Sequence, residues 1–384
     1  MRPKNSITSQ IIQKKWKRVN SVMAILFIML YYRLCMKKII STIIISAVFI
    51  FAGCIDNSGS GSAISGVMKS EDGGKTFLPF NVINEKKSLA GSDVLSIEID
   101  PSDNATVYAG TEKDDLYISR DGAISWVLIT TGLVSIGDIA INPFNTQIIY
   151  VSGMYNGRGS VLRSRDGGKN WDRVYVEPKD GTNISAMVIS PVNANIVYIG
   201  TSGGTIARTV NGGDAWDNLF HAESSVGTLL IDKGNVNTLY ALVDGRDIVR
   251  SRDDGETFES IRSLTRENET QKIYEGTLYS MAVSPTTAGA IVIGTDKGVF
   301  RSQDYGLSWM PVDVIASTIG IPIHAIKISP HNANQLIFVA AKAVYTSVSN
   351  GWAITDTTSN RVVDVITHDP RNANVIYIGL KKVN

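Results

Sequence analysis

The sequence predicts an all-β protein, a seven-bladed β-propeller of four-stranded blades whose ring is closed by N-terminal strands that complete the last blade. Three observations support this prediction. A short turn motif recurs seven times at spacings of 42 to 51 residues, a motif of paired strands recurs seven times in phase with it, and the chain ends just after a second strand. Repeats of about 40–50 residues that each hold four strands are typical of propeller blades.

The first repeated motif, called the turn motif below, reads Ser-x-Asp-x-Gly and reaches Trp or Phe three residues later. Asp or Asn at its third place can accept hydrogen bonds from N–H groups of its own turn, and Gly at its fifth place allows a positive φ. The aromatic ring covers the hairpin with a large apolar face. The copies begin at Ser70, Ser119, Ser164, Thr209, Ser251 and Ser302, with a degenerate copy, SVSNGW, at Ser347. We assign a structural role to the third-place residues, Asp72, Asp121, Asp166, Asn211, Asp253 and Asp304.

The second repeated motif is an apolar alternating strand, a turn that often contains Pro or Asn, and a second strand that often ends near Tyr-x-Gly. Examples are SIEIDPSDNATVYAGT from Ser96 and AMVISPVNANIVYIGT from Ala186. Such short β-branched runs between turn residues are strand and hairpin signals. The first turn motif has no inner strands before it, so we expect the N-terminal piece to supply the outer two strands of the seventh blade and to remove exposed sheet edges. The predicted propeller spans residues 64–384.

Residues 36–54 have the three parts of a secretory signal: Lys37 and Lys38, an apolar run, and small residues at the end. The terminal Phe-Ala-Gly-Cys resembles a bacterial lipobox, which implies that Cys54 receives a lipid; an uncleaved anchor is the alternative. Residues 55–63 form a Gly/Ser-rich tether. Residues 1–35 are either an upstream misread start or an extra membrane segment. We therefore expect a protein held by its lipid on the extracytoplasmic face of the cell membrane, or secreted.

Charge and cysteine content limit the classes of partner and of metal site that the protein could have. Residues 55–384 carry 28 basic and 36 acidic side chains, a net charge of −8. Nucleic acid is excluded as a partner because phosphate binding needs a basic surface. Both cysteines, Cys35 and Cys54, precede the propeller, which therefore has no disulfide and no thiolate metal site. The four histidines lack metal-ligand spacing, so we predict no metal and no cofactor, and we expect a monomer.

Candidate binding residues lie on the face of the propeller opposite the turn motifs, where the loops between second and third strands and between blades gather. The longest of these loops, 261–278, departs most from the repeat. The candidates in these loops are Tyr155, Arg158, Arg246, Arg266, Lys272 and Tyr274. For each of them, the alternative is a solvent-exposed side chain with no specific role. Residues entering the inner strands are expected to ring the channel mouth, and these are Asp93, Ser185, Tyr279, His324 and Asp364. An acidic pair among them could act as general acid and nucleophile if the carboxyls lay about 5–10 Å apart; a polar channel lining is the alternative.

With its seven turn motifs, the chain resembles the Asp-box (bacterial neuraminidase repeat) propellers, a superfamily that includes sialidases, xyloglucanases, sortilin and the photosystem II assembly-factor propellers. The resemblance implies the fold and, because these proteins do unrelated things, not one function. In layout the chain is most similar to the assembly-factor and sortilin-like members.

Sialidase chemistry is disfavoured because the Arg-Ile-Pro element of those enzymes is missing and no arginine occurs between Cys54 and Ser119. No H-E-x-x-H or G-x-S-x-G motif is present. We therefore favour a non-catalytic extracytoplasmic lipoprotein whose propeller face binds a protein partner or assembles a complex. The alternative is a carbohydrate-active protein, either a glycoside hydrolase of this superfamily or a glycan-binding adhesin.

Overall fold

The structure, a computed structural model, describes residues 66–262, 274–314, 318–349, 351–357 and 360–382. The predictions for the leader and tether, residues 1–63, lie outside the described residues. Seven four-stranded antiparallel sheets form the ring, so the predicted all-β, seven-bladed propeller is confirmed. The described residues contain no helix long and apolar enough to cross a bilayer.

The strands follow one another as the repeat predicts. The chain begins with β1 (Gly66–Ser70) and β2 (Leu78–Pro79), then a small hairpin of β3 (Val82–Asn84) and β4 (Lys87–Ser88). Blade 1 holds β5 (Val94–Ile99), β6 (Val107–Thr111), β7 (Leu116–Ser119) and β8 (Val127–Ile129). Blade 2 holds β9 (Val134–Ile141), β10 (Ile149–Tyr155), β11 (Arg158–Ser164) and β12 (Asp172–Val176). Blade 3 holds β13 (Ile184–Ile189), β14 (Val197–Thr201), β15 (Thr205–Thr209) and β16 (Asp217–His221).

The remaining blades repeat this order. Blade 4 holds β17 (Val226–Ile231), β18 (Leu239–Val243), β19 (Asp247–Ser251) and β20 (Glu259–Ser260). Blade 5 holds β21 (Leu278–Val283), β22 (Ile291–Thr295), β23 (Gly298–Ser302) and β24 (Met310–Pro311). Blade 6 holds β25 (Ala325–Ser329), β26 (Asn332–Ala340), β27 (Ala343–Val348) and β28 (Gly351–Asp356). Blade 7 combines β29 (Arg361–His368) and β30 (Ile376–Lys382) with β1 and β2, in the order β2-β1-β30-β29.

The sheet of blade 7 joins the two ends of the described chain. Strand β1 pairs antiparallel with β30 over five residues, from Gly66 opposite Leu380 to Ser70 opposite Ile376. Val67, Ile376 and Leu380 are fully buried. Apolar burial of this kind stabilises by about 25 cal/mol per Å², so the pairing of the N-terminal strand carries a hydrophobic contribution as well as hydrogen bonds.

The core consists of apolar layers between successive blades. Tyr108 of blade 1, for example, packs in one buried cluster with Ile136, Ile139 and Ile149 of blade 2. Blades 1 and 2 can approach each other this closely only with a glycine in the Tyr-x-Gly pattern, because a Cβ at Gly110 would overlap the side chains of Ile136 and Ser96. Every residue of the second strand β6 is buried.

The turn motif folds as a hydrogen-bonded unit, with Asp166 as a clear instance. Its carboxylate accepts bonds from the Ser164 hydroxyl at 2.9 Å and from the backbone N–H of Lys169 and Asn170 at 3.0 and 2.9 Å. These bonds lower the pKa of Asp166 to about 2, with the Asn170 N–H as the largest cause. The fifth-place Gly168 has φ +88°, and the fourth-place Gly167 is also positive, at +73°.

The turn motif also takes part in hydrogen bonds between neighbouring blades. At three of the blade boundaries, the carbonyl of its fourth residue accepts hydrogen bonds that a strand-two tyrosine and a strand-three cation of the preceding blade donate. We call these the seam bonds. The Gly122 carbonyl accepts from Lys69 and Tyr377, both at 3.2 Å, and the Asp254 carbonyl accepts from Arg208 and Tyr198 at 2.9 and 3.0 Å. The Gly212 carbonyl accepts from Arg163 and Tyr150.

Candidate functional site: the loop face and the channel

The two faces of the ring are distinguished by their connections. The turn motifs lie beside the turns between first and second strands, because Gly122 N–H donates to the Ala105 carbonyl at 2.8 Å and Gly212 N–H to the Asn195 carbonyl at 2.9 Å. We call this the turn face. The loops between second and third strands and the blade-to-blade connections lie at the opposite ends of the strands, which we call the loop face.

Three of the predicted mouth residues come together where blades 5, 6 and 7 meet the loop face. The rings of Tyr279 and His324 contact edge to face, with centroids 5.1 Å apart and planes at 74°. Burial lowers the pKa of His324; the Asp364 carboxylate opposes this shift and Lys381 adds to it, so both groups are close by. Asp364 itself pairs with Lys381 at 2.6 Å. We call Tyr279, His324 and Asp364 the mouth group.

Asp93, the other acidic residue predicted for the channel mouth, is bound within the protein. Its carboxylate pairs with Arg361 and accepts the Lys382 N–H at 2.8 Å. Arg361 is buried and also donates to the carbonyls of Ser92 at 3.1 Å and Gly91 at 2.7 Å. Asp93 therefore ties the connection before blade 1 to blade 7, and its lone pairs are less available to a ligand than those of Asp364.

Tyr155 and Arg158 flank a tight hairpin at the end of β10 and β11. The turn residues Asn156 and Gly157 have φ of +49° and +78°, which is the conformation that an Asn-Gly pair favours. The Arg173 guanidinium lies 4.6 Å from the centroid of the Tyr155 ring, and Arg158 pairs with Asp180. The result is an exposed tyrosine that a cation holds in place on the loop face.

Two predicted residues are not exposed on the loop face. Tyr274 is buried, 5% exposed, and packs edge-on against Trp309 with ring centroids 5.5 Å apart. Ser185 donates to the Val226 carbonyl of blade 4 at 2.7 Å, so it links two inner strands. The prediction of an accessible binding side chain at Tyr274 is corrected, because the core covers its ring, whereas Ser185 remains half-buried at the start of an inner strand. Arg246 is exposed, and Arg266 and Lys272 lie outside the described residues.

The channel holds two acidic residues that the sequence reasoning did not single out, Glu98 on β5 and Asp138 on β9. Burial raises the pKa of Glu98 to about 7; the Asp138 charge adds to this, and Lys327 and Lys233 oppose it. The four side chains belong to blades 1, 2, 6 and 4 in the order named. Because non-adjacent blades approach each other only at the axis of a ring, their charges interact across the channel. Glu98 makes no ion pair or hydrogen bond with side chains in the described part of the chain. The available signal was a charged residue within each apolar inner strand, SIEI and GDIAI.

Asp138 differs from Glu98 in its contacts. Burial raises the pKa of Asp138 to about 6, against the effect of hydrogen bonds from the backbone N–H of Met187 at 2.8 Å and Ile139 at 2.9 Å. Burial also lowers the pKa of His368, the last residue of the inner strand β29, to about 4. Carboxyls with raised pKa values can hold and release protons near neutral pH, so Glu98 and Asp138 make the channel a candidate for acid–base chemistry. Among the described residues, no group of three or more His, Cys, Asp or Glu could hold a metal ion.

Comparison with known proteins finds similarity to xyloglucanases. No family model matches it. A xyloglucanase of Hypocrea jecorina is 26% identical over 305 residues, which cover 74% of this chain and 32% of that protein. The chain thus spans about a third of the length of this curated relative. Among solved structures, the GH74 xyloglucanase of Xanthomonas campestris superposes with a TM-score of 0.62 at 16% identity, covering 75% of this chain and 51% of that one.

A second structural neighbour is matched over almost its whole length. YCF48 from Cyanidioschyzon merolae superposes with a TM-score of 0.55 at 15% identity, covering 75% of this chain and 95% of that one. At such identities, the structural similarities support the propeller fold alone. The similarity in sequence to xyloglucanases favours the carbohydrate-active alternative over the non-catalytic protein-binding interpretation.

Proposed function

We propose that the protein is a carbohydrate-active propeller whose loop face binds a glucan of the xyloglucan type at the mouth group. The observation that carries the proposal is the exposed His324 ring packed against Tyr279 beside the Asp364 carboxylate. A sugar ring presents an apolar face that packs on aromatic rings and hydroxyls that donate to carboxylates. The mouth group offers both features within one opening.

Sequence similarity to a xyloglucanase supports the choice of ligand class. Hydrolysis would need a protonated carboxyl and a second carboxylate near the scissile bond. Glu98, with a pKa of about 7, is the residue best suited to hold a proton at neutral pH, and Asp138 provides the second carboxylate. Both lie on inner strands below the mouth, so binding and hydrolysis are tested separately.

The test uses the full chain with xyloglucan, carboxymethyl cellulose, mixed-linkage β-glucan and a mannan. Affinity electrophoresis measures binding, and release of reducing ends measures hydrolysis. We expect retardation by xyloglucan and not by mannan. If hydrolysis occurs, Glu98→Gln should reduce the rate by at least about 100-fold, in line with the loss of a general acid. Equal migration in all four gels would contradict the proposal.

Protein binding on the loop face is the second candidate, and Tyr155 favours it. Its ring is 36% exposed on a projecting hairpin and stacks on Arg173. Tyrosine and arginine are enriched among residues that dominate protein interfaces. Cross-linking from this hairpin on intact membranes tests it: Tyr155 replaced by a photoreactive phenylalanine should capture one partner, while the same replacement at Phe144 on the turn face should not.

We also propose that the protein acts on the extracytoplasmic side of the cell membrane, held there by lipid on Cys54. The signal-like order of residues 36–54 supports this location. A polysaccharide ligand is consistent with the same compartment.

A further inference from the structure

The seam between blades 1 and 2, called the 1–2 seam, lacks the seam bonds. The residue that precedes the turn motif is Arg163 in blade 2, Arg208 in blade 3 and Arg250 in blade 4, but in blade 1 it is Ile118. Each of the three arginines donates to the fourth-residue carbonyl of the next turn motif. In the described part of the chain, no side chain of blade 1 donates to the equivalent carbonyl, that of Gly167.

A second bond is missing at the same place. Trp126 Nε1 donates to the Phe80 carbonyl at 2.8 Å, and Trp216 Nε1 donates to the Val174 carbonyl at 3.0 Å. Both acceptors lie ten residues after the start of the preceding turn motif, and the equivalent residue for Trp171 is Ile129. Trp171 Nε1 is buried and has no hydrogen-bond partner. A buried donor without a partner destabilises the packing around it.

A groove of about 340 Å³ lies at this seam. Ile118, Val127 and Ile129 give it an apolar side, and Gly167 and Gly168 form part of the opposite side. Gly168 lies directly beside the Trp171 ring. The volume is within the range of ligand pockets, and it coincides with the missing arginine side chain.

The charge at the groove is positive. Arg120 and Lys169 line it, are exposed, and form no ion pair with other described residues. Asp121 also lines it, but its two oxygens accept bonds from Ser119 and from the Ser125 hydroxyl, at 2.7 and 2.6 Å. The two cations therefore favour an anionic group at the groove.

We propose that the 1–2 seam binds an extended acidic peptide segment of a partner protein, with an apolar side chain in the groove and a carboxylate between Arg120 and Lys169. A peptide fits better than a small anion because β8 is the outer edge strand of its sheet and exposes Val127 and Leu128, at 63% and 48%. An added strand pairs with such an edge and covers its apolar side chains. This site is separate from the mouth group and does not depend on glucan binding.

The indole N–H resonances of the ¹⁵N-labelled full chain test the proposal, with Trp171→Phe identifying the Trp171 signal. The probes are the acetylated, amidated peptides Leu-Glu-Leu-Glu-Leu and Leu-Lys-Leu-Lys-Leu. We expect the acidic peptide to shift the Trp171 signal saturably and to slow its exchange with water, and the basic peptide to have no effect. An unchanged Trp171 signal, or equal effects of both peptides, would overturn the proposal.

Two substitutions test whether the acidic peptide binds specifically at the 1–2 seam. Ile118→Arg restores the guanidinium found in blades 2 to 4 and should abolish binding of the acidic peptide. Lys169→Glu, which leaves the core untouched, should weaken it at least about 10-fold, as expected for the loss of a close charge pair. Val192→Arg, an equally apolar-to-basic change at a position 61% exposed in blade 3, is the control and should bind normally. Undiminished binding by Lys169→Glu would contradict the assigned charge contact.

Discussion

Asp138 of blade 2 adds its charge to the effect of burial on Glu98 of blade 1, and together they bring the pKa of Glu98 to about 7. The two side chains come from neighbouring inner strands and reach the channel where Lys327 of blade 6 also acts on both. The channel is thus an electrostatically coupled interior and not an inert pore. Its protonation state should change within the physiological pH range.

Stability should depend on pH through Glu98. Its pKa rises from 4.5 to about 7 on folding, so the buried charge costs stability as pH increases from about 4.5 and the full cost is present above about 7. Glu98→Gln removes this cost and should be more stable than wild type at pH 8, by up to about 3 kcal/mol, with little gain at pH 4. Urea unfolding at both pH values measures it, with the exposed Glu85→Gln as control. A constant difference between Glu98→Gln and wild type at the two pH values would contradict the prediction.

Deletion of residues 66–80 should destabilise the propeller more than any single turn-motif substitution. The deletion removes β1 and β2 and leaves β30 with an unpaired edge. Thermal melts of the deletion, of Trp171→Ala and of wild type check this, and a deletion that melts like wild type would rule out a role for these strands in closing blade 7.

The turn-motif tryptophans should differ in their contribution to stability. Trp126 is 1% exposed and its Nε1 donates to Phe80, whereas Trp171 is less buried and its Nε1 is unsatisfied. Trp126→Ala should cost about 3–5 kcal/mol, the usual loss for a buried large aromatic, and Trp171→Ala should cost less. Chemical denaturation of the two variants compares them directly. A larger loss for Trp171→Ala would show that packing at the 1–2 seam is tighter than the missing bonds indicate.

Membrane attachment should depend on Cys54. Three acyl chains on one cysteine would hold the protein far more firmly than a single chain. Cys54→Ser should move the protein from the membrane fraction to the soluble fraction, with Cys35→Ser as the matched control that leaves the distribution unchanged. Retention of Cys54→Ser entirely in the membrane fraction would contradict lipid attachment at this residue.

The fold could be predicted because the blades pack in the same way and therefore repeat the same sequence pattern. The turn-motif aspartates bond within eight residues of chain, so their role could be read locally, as Asp166 shows. Glu98 and Asp138 could not be found this way, because their coupling arises only when separate blades meet at the axis. Tyr274 was misjudged for a related reason: its loop position suggested exposure, but Trp309 of the same blade covers it.

Isothermal titration of the full chain with xyloglucan oligosaccharides measures whether the mouth group binds glucan. Tyr279→Ala and His324→Ala should each weaken binding about 5-fold, because the loss of one stacking aromatic removes about 1 kcal/mol. Tyr155→Ala, an aromatic change elsewhere on the loop face, should leave affinity unchanged. We expect saturable binding that depends on Tyr279 and His324. Unaltered affinity in both variants, or no heat of binding in wild type, would contradict glucan binding at the mouth group.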